Sequence, residues 1–355
     1  MLCIDSVTKA TKNIESEIIV VDNNSKDESC DLVNAHFPEV ILIKNEENTG
    51  FSKGNNIGAA KAKGEFLCIL NPDTIVPEDC FTRLLEYHLQ LRNPGAIGVQ
   101  LIDGSGEFLD ESKRNIPTPK IAMKKLMGNY DSYYNLNLNE NDCGPTDILV
   151  GAFMFMKTDL FKKIEGFDET YFMYGEDIDL SYRILKAGFQ NYFFGKTKVL
   201  HFKGESTVKD QVYLNRFFNA IYIFYKKHFK TYKTLYQLVK LSLKFTMALE
   251  RTRLNALKVT NHHYDKIQLI STDGCLKTSI KNNFNSEVSM EPKMTSKITN
   301  TLIVLDADSM QYKECIKTIA SFKSKTNAFR IKPRSFKLII GSESKYVKGE
   351  VIHLS

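Results

Sequence analysis

The chain of 355 residues has no C-x-x-C pair among its seven cysteines, Cys3, Cys30, Cys68, Cys80, Cys143, Cys275 and Cys315. An odd count without paired spacing excludes a simple disulfide framework. Several of these cysteines lie in apolar runs and read as buried free thiols of a reducing compartment. No signal peptide opens the chain, and no run approaches the roughly 20 apolar residues of a membrane span. Acids are almost missing from one segment: Gln211 to Thr260 holds ten Lys or Arg and one acid, Glu250. That segment carries a net +9 in a chain of +6, so the other 305 residues carry −3. No recognised RNA or DNA motif accompanies the charge, so nucleic acid is not an expected partner. What is present is ordinary for a globular protein, 43% hydrophobic and 25% charged, with length enough for two domains.

The first informative stretch is Phe66-Leu-Cys-Ile-Leu70 followed by Asn71-Pro-Asp-Thr74. Five consecutive apolar residues predict a strand buried on both faces, and Pro72 ends it while keeping Asn71 extended. Asp73 then stands just past the carboxyl end of a buried strand, where ligands bind in open α/β sheets. A carboxylate there can hold a divalent cation against a diphosphate, or it can simply close an Asx turn. Apolar strands at Glu17–Val21, Val40–Ile43 and Ile97–Ile102 alternate with helices over Met1–Ala10, Glu28–Phe37 and about Gly50–Lys63. That alternation predicts a mostly parallel α/β sheet with right-handed crossovers.

Asp22 ends its strand as Asp73 does, and a carboxylate in that crevice can accept the imide N–H of a uracil or thymine ring. It can equally cap the next helix. The turn from Asn48 through Gly50 to Gly58 offers backbone N–H groups at a helix start with Lys53 nearby, a setting for an anion or only a glycine turn. Asp103 to Pro145 is polar and reads as a long connection of the kind that borders substrate sites. Ile148–Met156 returns as a strand. Glu176, Asp177 and Asp179 then crowd the first turn of a helix that ends before Gly188. Helix-dipole capping accounts for acids there, but three in four positions exceed what capping needs, and a carboxylate so held can act as a base. His201 reads as a core or surface histidine on its own.

Taken in order, Val21-Asp-Asn-Asn-Ser25, Asn48-Thr-Gly-Phe51 with Gly54-Asn-Asn56, Leu70-Asn-Pro-Asp-Thr74, Phe172-Met-Tyr-Gly-Glu-Asp-Ile-Asp179 and His201 resemble the family 2 glycosyltransferases, most closely the bacterial rhamnosyltransferase-like branch. The resemblance spans roughly residues 1–230. It implies a GT-A fold and an inverting transfer from a nucleotide-diphospho-sugar to a saccharide acceptor, lipid-linked or not, in cell-surface polysaccharide synthesis. Asp177 is similar to the family's base, with Glu176 beside it. Asp22, Asn23, Asn48, Gly50, Phe51, Lys53, Asn56 and Asn71 match nucleotide-binding positions. Asp73, at the D-x-D position, and His201 match the ligands of a Mg²⁺ or Mn²⁺ ion, and Asp179 and Tyr174 fall where the acceptor is held or supported. Asn71 leaves the motif one carboxylate short. Family members begin with a strand that has no counterpart before Met1–Ala10, so the resemblance implies either a truncated reading of a longer protein or a sheet lacking its first strand. The other expectation this raises is a non-catalytic sugar- or partner-binding protein, truncated at its N-terminus.

Residues 211–260 pattern as a basic amphipathic helical segment, with Lys240, Lys244 and Arg251 on one face and Leu238, Leu241, Phe245 and Ala248 on another. It packs on the domain or docks on an anionic membrane, which would place the protein in the cytoplasm at the inner face. Residues 261–299 read as a linker, and 300–355 as a small α/β unit similar to the tail domain of some bacterial family 2 enzymes.

Overall fold

The computed structural model describes residues 1–126, 128–202, 211–229, 264–342 and 349–354. The first half alternates as the apolar runs predict. It runs α1 (Leu2–Ala10), β1 (Ile19–Asp22), α2 (Ser29–His36), β2 (Ile41–Lys44), α3 (Gly50–Lys61), β3 (Phe66–Leu70), β4 (Thr74–Ile75), α4 (Cys80–Leu89) and β5 (Pro94–Ile102). After it come α5 (Pro119–Leu126), β6 (Cys143–Pro145), β7 (Phe153–Lys157), α6 (Thr158–Lys163), α7 (Glu176–Lys186), β8 (Gln190–His201) and α8 (Gln211–His228).

The strands do not form one parallel sheet. β1 and β2 pair in parallel by themselves, while a second sheet runs β3-β7-β5-β8-β4, with β6 also on β8. In that sheet β5 and β8 are parallel and the other pairs antiparallel. The long connection after β5 explains the mixture, since it lets β7 enter between β3 and β5 against their direction. Among the described residues no strand joins β1 to β3. α1 spans the break instead. Its Ile4 packs with Val33, Phe37, Val40 and Val20, and its Val7 and Ala10 pack with Phe66, Cys68 and Leu70. Ile19, Val20 and Val21 stay half-buried despite their apolar side chains.

The apolar run at Ile148–Met156 is only partly a strand. Ile148 exchanges two backbone hydrogen bonds with Arg114, and a turn at Gly151-Ala152 precedes β7. The first three residues of the run are therefore packed as loop, a distinction that hydrophobicity alone does not carry.

A second unit follows: β9 (Lys266–Ile270), α9 (Gly274–Phe284), β10 (Val288–Glu291), β11 (Thr301–Asp306), α10 (Tyr312–Ser321), β12 (Ala328–Lys332), β13 (Leu338–Gly341) and β14 (Glu350–His353). Its sheet runs β10-β9-β11-β12-β13-β14, parallel as far as β12. Much of the expected linker at 261–299 thus belongs to this sheet. β9 and β10 are short, and polar helix α9 lies between them, so the segment shows no long apolar run. The unit shares a core with the first domain: Ile316, Ile319, Ile303 and Phe329 pack with Leu2, Ile75, Ile102 and Leu200. Burying each such side chain contributes about 1.5–3 kcal/mol. Glu78 caps α10 across this contact, its carboxylate accepting from the backbone N–H groups of Tyr312 at 2.7 Å and Lys313 at 2.9 Å.

Candidate active site

The strand-end turn forms as its sequence predicts. Thr74 Oγ1 donates to the Asn71 carbonyl at 2.7 Å, and Thr74 pairs with His201 across β4 and β8. This register brings His201 Nε2 to 3.3 Å from Asp73 Oδ1, with both side chains nearly buried. Nδ1 of His201 and Oδ1 of Asn71 are buried without a partner. Among the described residues no cluster of three or more His, Cys, Asp or Glu converges. Two protein ligands fit a Mg²⁺- or Mn²⁺-type ion that completes its shell with diphosphate oxygens, and the orphaned polar atoms lie in or beside that corner.

The glycine turn meets the acidic helix directly. Gly50 has φ +81, and a Cβ on it would lie 2.4 Å from the Phe172 carbonyl, so only glycine fits. Phe51 N–H donates to that same carbonyl at 2.7 Å, and Gly50 N–H donates to Asn48 Oδ1. These two helix-start donors are therefore used within the protein. Tyr174 and Gly175, at φ +73 and +78, carry the chain from Phe172 into α7. A tyrosine held in the left-handed region is strained, and such strain persists where surrounding structure fixes it.

The three acids of α7 have three different environments. Asp177 Oδ2 accepts from Arg114 Nη2 at 2.7 Å and from Gly151 N–H at 3.2 Å, and Oδ1 accepts from Ile178 N–H. Glu176 is buried with Oε2 unpartnered. Burial, and then the Asp177 carboxylate beside it, push its carboxyl up to about 8. Asp179 is fully buried and accepts from Arg183, His228 and Lys227. Burial opposes its charge, but His228, Arg183 and Lys227 outweigh that and bring it down to about 2. Its partners on α8 make Asp179 an anchor for that helix.

The Gly151-Ala152 turn joins the two centres. Gly151 donates to Asp177 and the Ala152 carbonyl accepts from Asn71 N–H at 3.0 Å. The other expected residues are placed less directly. Asp22 accepts from Ser25 N–H at 3.1 Å in an Asx-type turn. Asn23 ties β1 to the glycine turn, accepting from Asn45 and Thr49 and donating to the Gly50 carbonyl. Asn56 pairs with both backbone groups of Phe167, so it holds α3 to the turn before α7. Lys53 is exposed. Tyr174 stacks edge-on against Tyr213 of α8 at 5.1 Å.

Arg114 was not foreseen. It lies in the polar connection after β5 with nothing in its neighbours to mark it, and only the pairing of residues 113–115 with 133–135 and 146–148 delivers it to Asp177. Tyr133 and Lys125 of the same connection gather around it. Part of the basic segment is also spent inward, since Lys227 pairs with Asp168 and Asp179 and Arg216 lies over the Phe172 ring. Lys240, Lys244 and Arg251 lie outside the described residues. Among the described helices none is long and apolar enough to cross a membrane.

A strand-end carboxylate and histidine and a buried acid pair are thus tied to one turn on a mixed α/β scaffold. Residues 2–165 match Glycosyl transferase family 2, and residues 143–208 match a family described as the N-terminal domain of galactosyltransferase. Residues 2–165 are therefore a glycosyl transferase family 2 domain. It is 26% identical over 237 residues to the N-acetylglucosaminyl-diphospho-decaprenol L-rhamnosyltransferase of Mycobacterium tuberculosis, covering 62% of this chain and 77% of that one. It is 28% identical over 192 residues to the low-salt glycan biosynthesis hexosyltransferase Agl10 of Haloferax volcanii, and 26% over 168 residues to rhamnosyltransferase WbbL of Escherichia coli. Those two matches cover 52% and 43% of this chain and 57% and 61% of the relatives.

Proposed function

We propose that this glycosyltransferase moves a hexose, in the manner of a rhamnosyltransferase, from a nucleotide-diphospho-sugar to a saccharide acceptor in cell-surface polysaccharide synthesis, inverting the anomeric carbon. The observation that carries the reading is the Gly151-Ala152 turn, which ties Asp177 on one side to the Asn71–Thr74 corner on the other. Asp177 accepts the proton of the acceptor hydroxyl as its oxygen attacks the anomeric carbon from the face opposite the leaving diphosphate. Arg114 and Gly151 hold that carboxylate in place. Glu176, protonated at neutral pH, adds no second charge beside it. Asp73 and His201 would hold a divalent cation, which when bound supplies positive charge for the diphosphate. Asp22 contacts the base of the nucleotide. The fold of the acidic turn over Gly50 and Phe51 positions the sugar between these groups. The acceptor is a saccharide, lipid-linked on the reading that residues 211–260 dock on anionic lipid.

Calorimetric titration of UDP and dTDP with Mn²⁺ and then in EDTA tests the donor half. Binding that requires the metal is expected. Equal affinity in both conditions, or none in either, would remove the assignment.

A further inference from the structure

The cations beside Asp177 exceed what Asp177 needs. Arg114 is buried and gives its guanidinium to Asp177 and the Leu149 carbonyl, with Nε left buried and unpartnered, while the pairing of its strand with residues 133–135 brings Tyr133 beside it. Lys125, on α5, sits with Nζ 3.3 Å from the centre of the Tyr133 ring. Lys124, the next residue, points to Ser132 at 3.5 Å. The acids near this group are Asp177, already paired, Glu176, which keeps its proton at neutral pH, and Glu111, the weakest influence on Lys125. Burial would raise the Tyr133 phenol, yet Arg114 and Lys125 bring it below its ordinary value. Two cations therefore flank one phenol in a half-buried wall.

We propose that Arg114, Lys125 and Tyr133 form an anion subsite that takes a phosphate or diphosphate group carried by the acceptor. The inference rests on the inverting reading given above. In such a displacement the base and the leaving diphosphate lie on opposite faces of the anomeric carbon. Arg114, in contact with the base, therefore faces the acceptor with Lys125 and Tyr133 beside it, while the Asp73–His201 corner faces the donor. The connection after β5 supplies all three residues, and Tyr225 of α8 closes its far side by donating to the Pro117 carbonyl at 2.6 Å. A guanidinium, an ammonium and a phenol provide several charge-assisted donors in a small space, the set that phosphate oxygens require.

The test compares two acceptors with the same sugar, one a diphosphate ester and one an uncharged glycoside. Lys125→Gln should raise KM for the diphosphate acceptor by about ten- to a hundredfold, the loss expected for a charge-assisted hydrogen bond. It should leave the ratio near one for the glycoside, and Lys125→Arg should restore most of the loss. Independently of turnover, inorganic pyrophosphate in EDTA should move the phenol titration of Tyr133 upward, read as a 295 nm difference against Tyr133→Phe. EDTA removes the metal-dependent donor site as the source of that signal. Equal KM changes for both acceptors, or no pyrophosphate effect on the titration, would overturn the subsite. Failure of wild type to bind UDP or dTDP would instead strike the donor reading, since the pyrophosphate arm does not depend on it.

Discussion

Asp177→Asn is expected to affect both chemistry and stability, and the structure gives the size of the second effect. The side chains of Asp177 and Arg114 are 11% and 8% exposed, so the substitution leaves a guanidinium buried without its counter-charge. Breaking such a pair from one side costs about 3–5 kcal/mol. Arg114 keeps the Leu149 carbonyl, and the amide oxygen of Asn can still accept one hydrogen bond, so about 3 kcal/mol is expected. A helix-capping role alone would cost about 1 kcal/mol or less. Urea unfolding at pH 7, followed by near-ultraviolet circular dichroism of the tyrosines in a chain without tryptophan, reads the difference. Because the two units share a core, apparent midpoints are compared rather than a single two-state free energy. The double variant Arg114→Met/Asp177→Asn should regain part of the loss, since neither charge is then left buried. Turnover per folded molecule should fall by roughly 10²–10⁴. A wild-type midpoint for Asp177→Asn would refute the buried pair, and wild-type turnover would refute the base.

Glu176→Gln should flatten the pH dependence of stability. Between about 4.5 and about 8 the folded protein holds a proton on Glu176 that the unfolded chain releases, so stability falls as pH rises through that window. The variant should lose up to about 1.4 kcal/mol per pH unit of that slope, and superimposable wild-type and variant profiles would show that the carboxyl is not raised. Asp73→Ala should abolish the metal dependence of nucleotide binding, whereas Asp22→Ala should weaken binding with or without metal; calorimetry that shows the reverse pattern exchanges their roles. Replacing Lys240, Lys244 and Arg251 together by Gln should reduce co-sedimentation with anionic vesicles and its salt sensitivity, which follows a Debye length of about 8 Å at physiological ionic strength. Unchanged partitioning would exclude docking by that face.

The strands and helices of the first half were legible because short apolar runs bounded by Gly, Pro, Asn and Asp carry their own endings. Leu70-Asn-Pro-Asp-Thr74 is the clearest case, since Pro72 both ends the strand and leaves Asp73 at its edge. Pairing was less legible. Hydrophobicity does not tell a parallel neighbour from an antiparallel one, so the entry of β7 between β3 and β5 was invisible. Among the expected site residues, Asp73 lies beside His201 and Glu176 beside Asp177. Asn23 and Asn56 also clamp neighbouring turns, since an amide at a strand or helix end serves backbone groups as readily as a ligand. Arg114 depends on contacts 35 and 63 residues away in sequence, which no local pattern records. The second unit began earlier than its composition suggests because β9 and β10 are short and gain their burial only from β11 beside them.

The central claim is that one turn joins a donor-diphosphate corner to a base, so that sugar transfer and nucleotide release occur together. Its most direct measurement is release of nucleoside diphosphate from UDP- and dTDP-sugars with Mn²⁺, with and without a saccharide acceptor, by wild type and Asp177→Asn at matched folded concentration. The account predicts acceptor-stimulated release by wild type, with one glycoside formed per diphosphate and its anomeric configuration inverted, and a loss of about 10²–10⁴ in the variant. Retention of configuration in the product, or equal release by the two proteins, would contradict it.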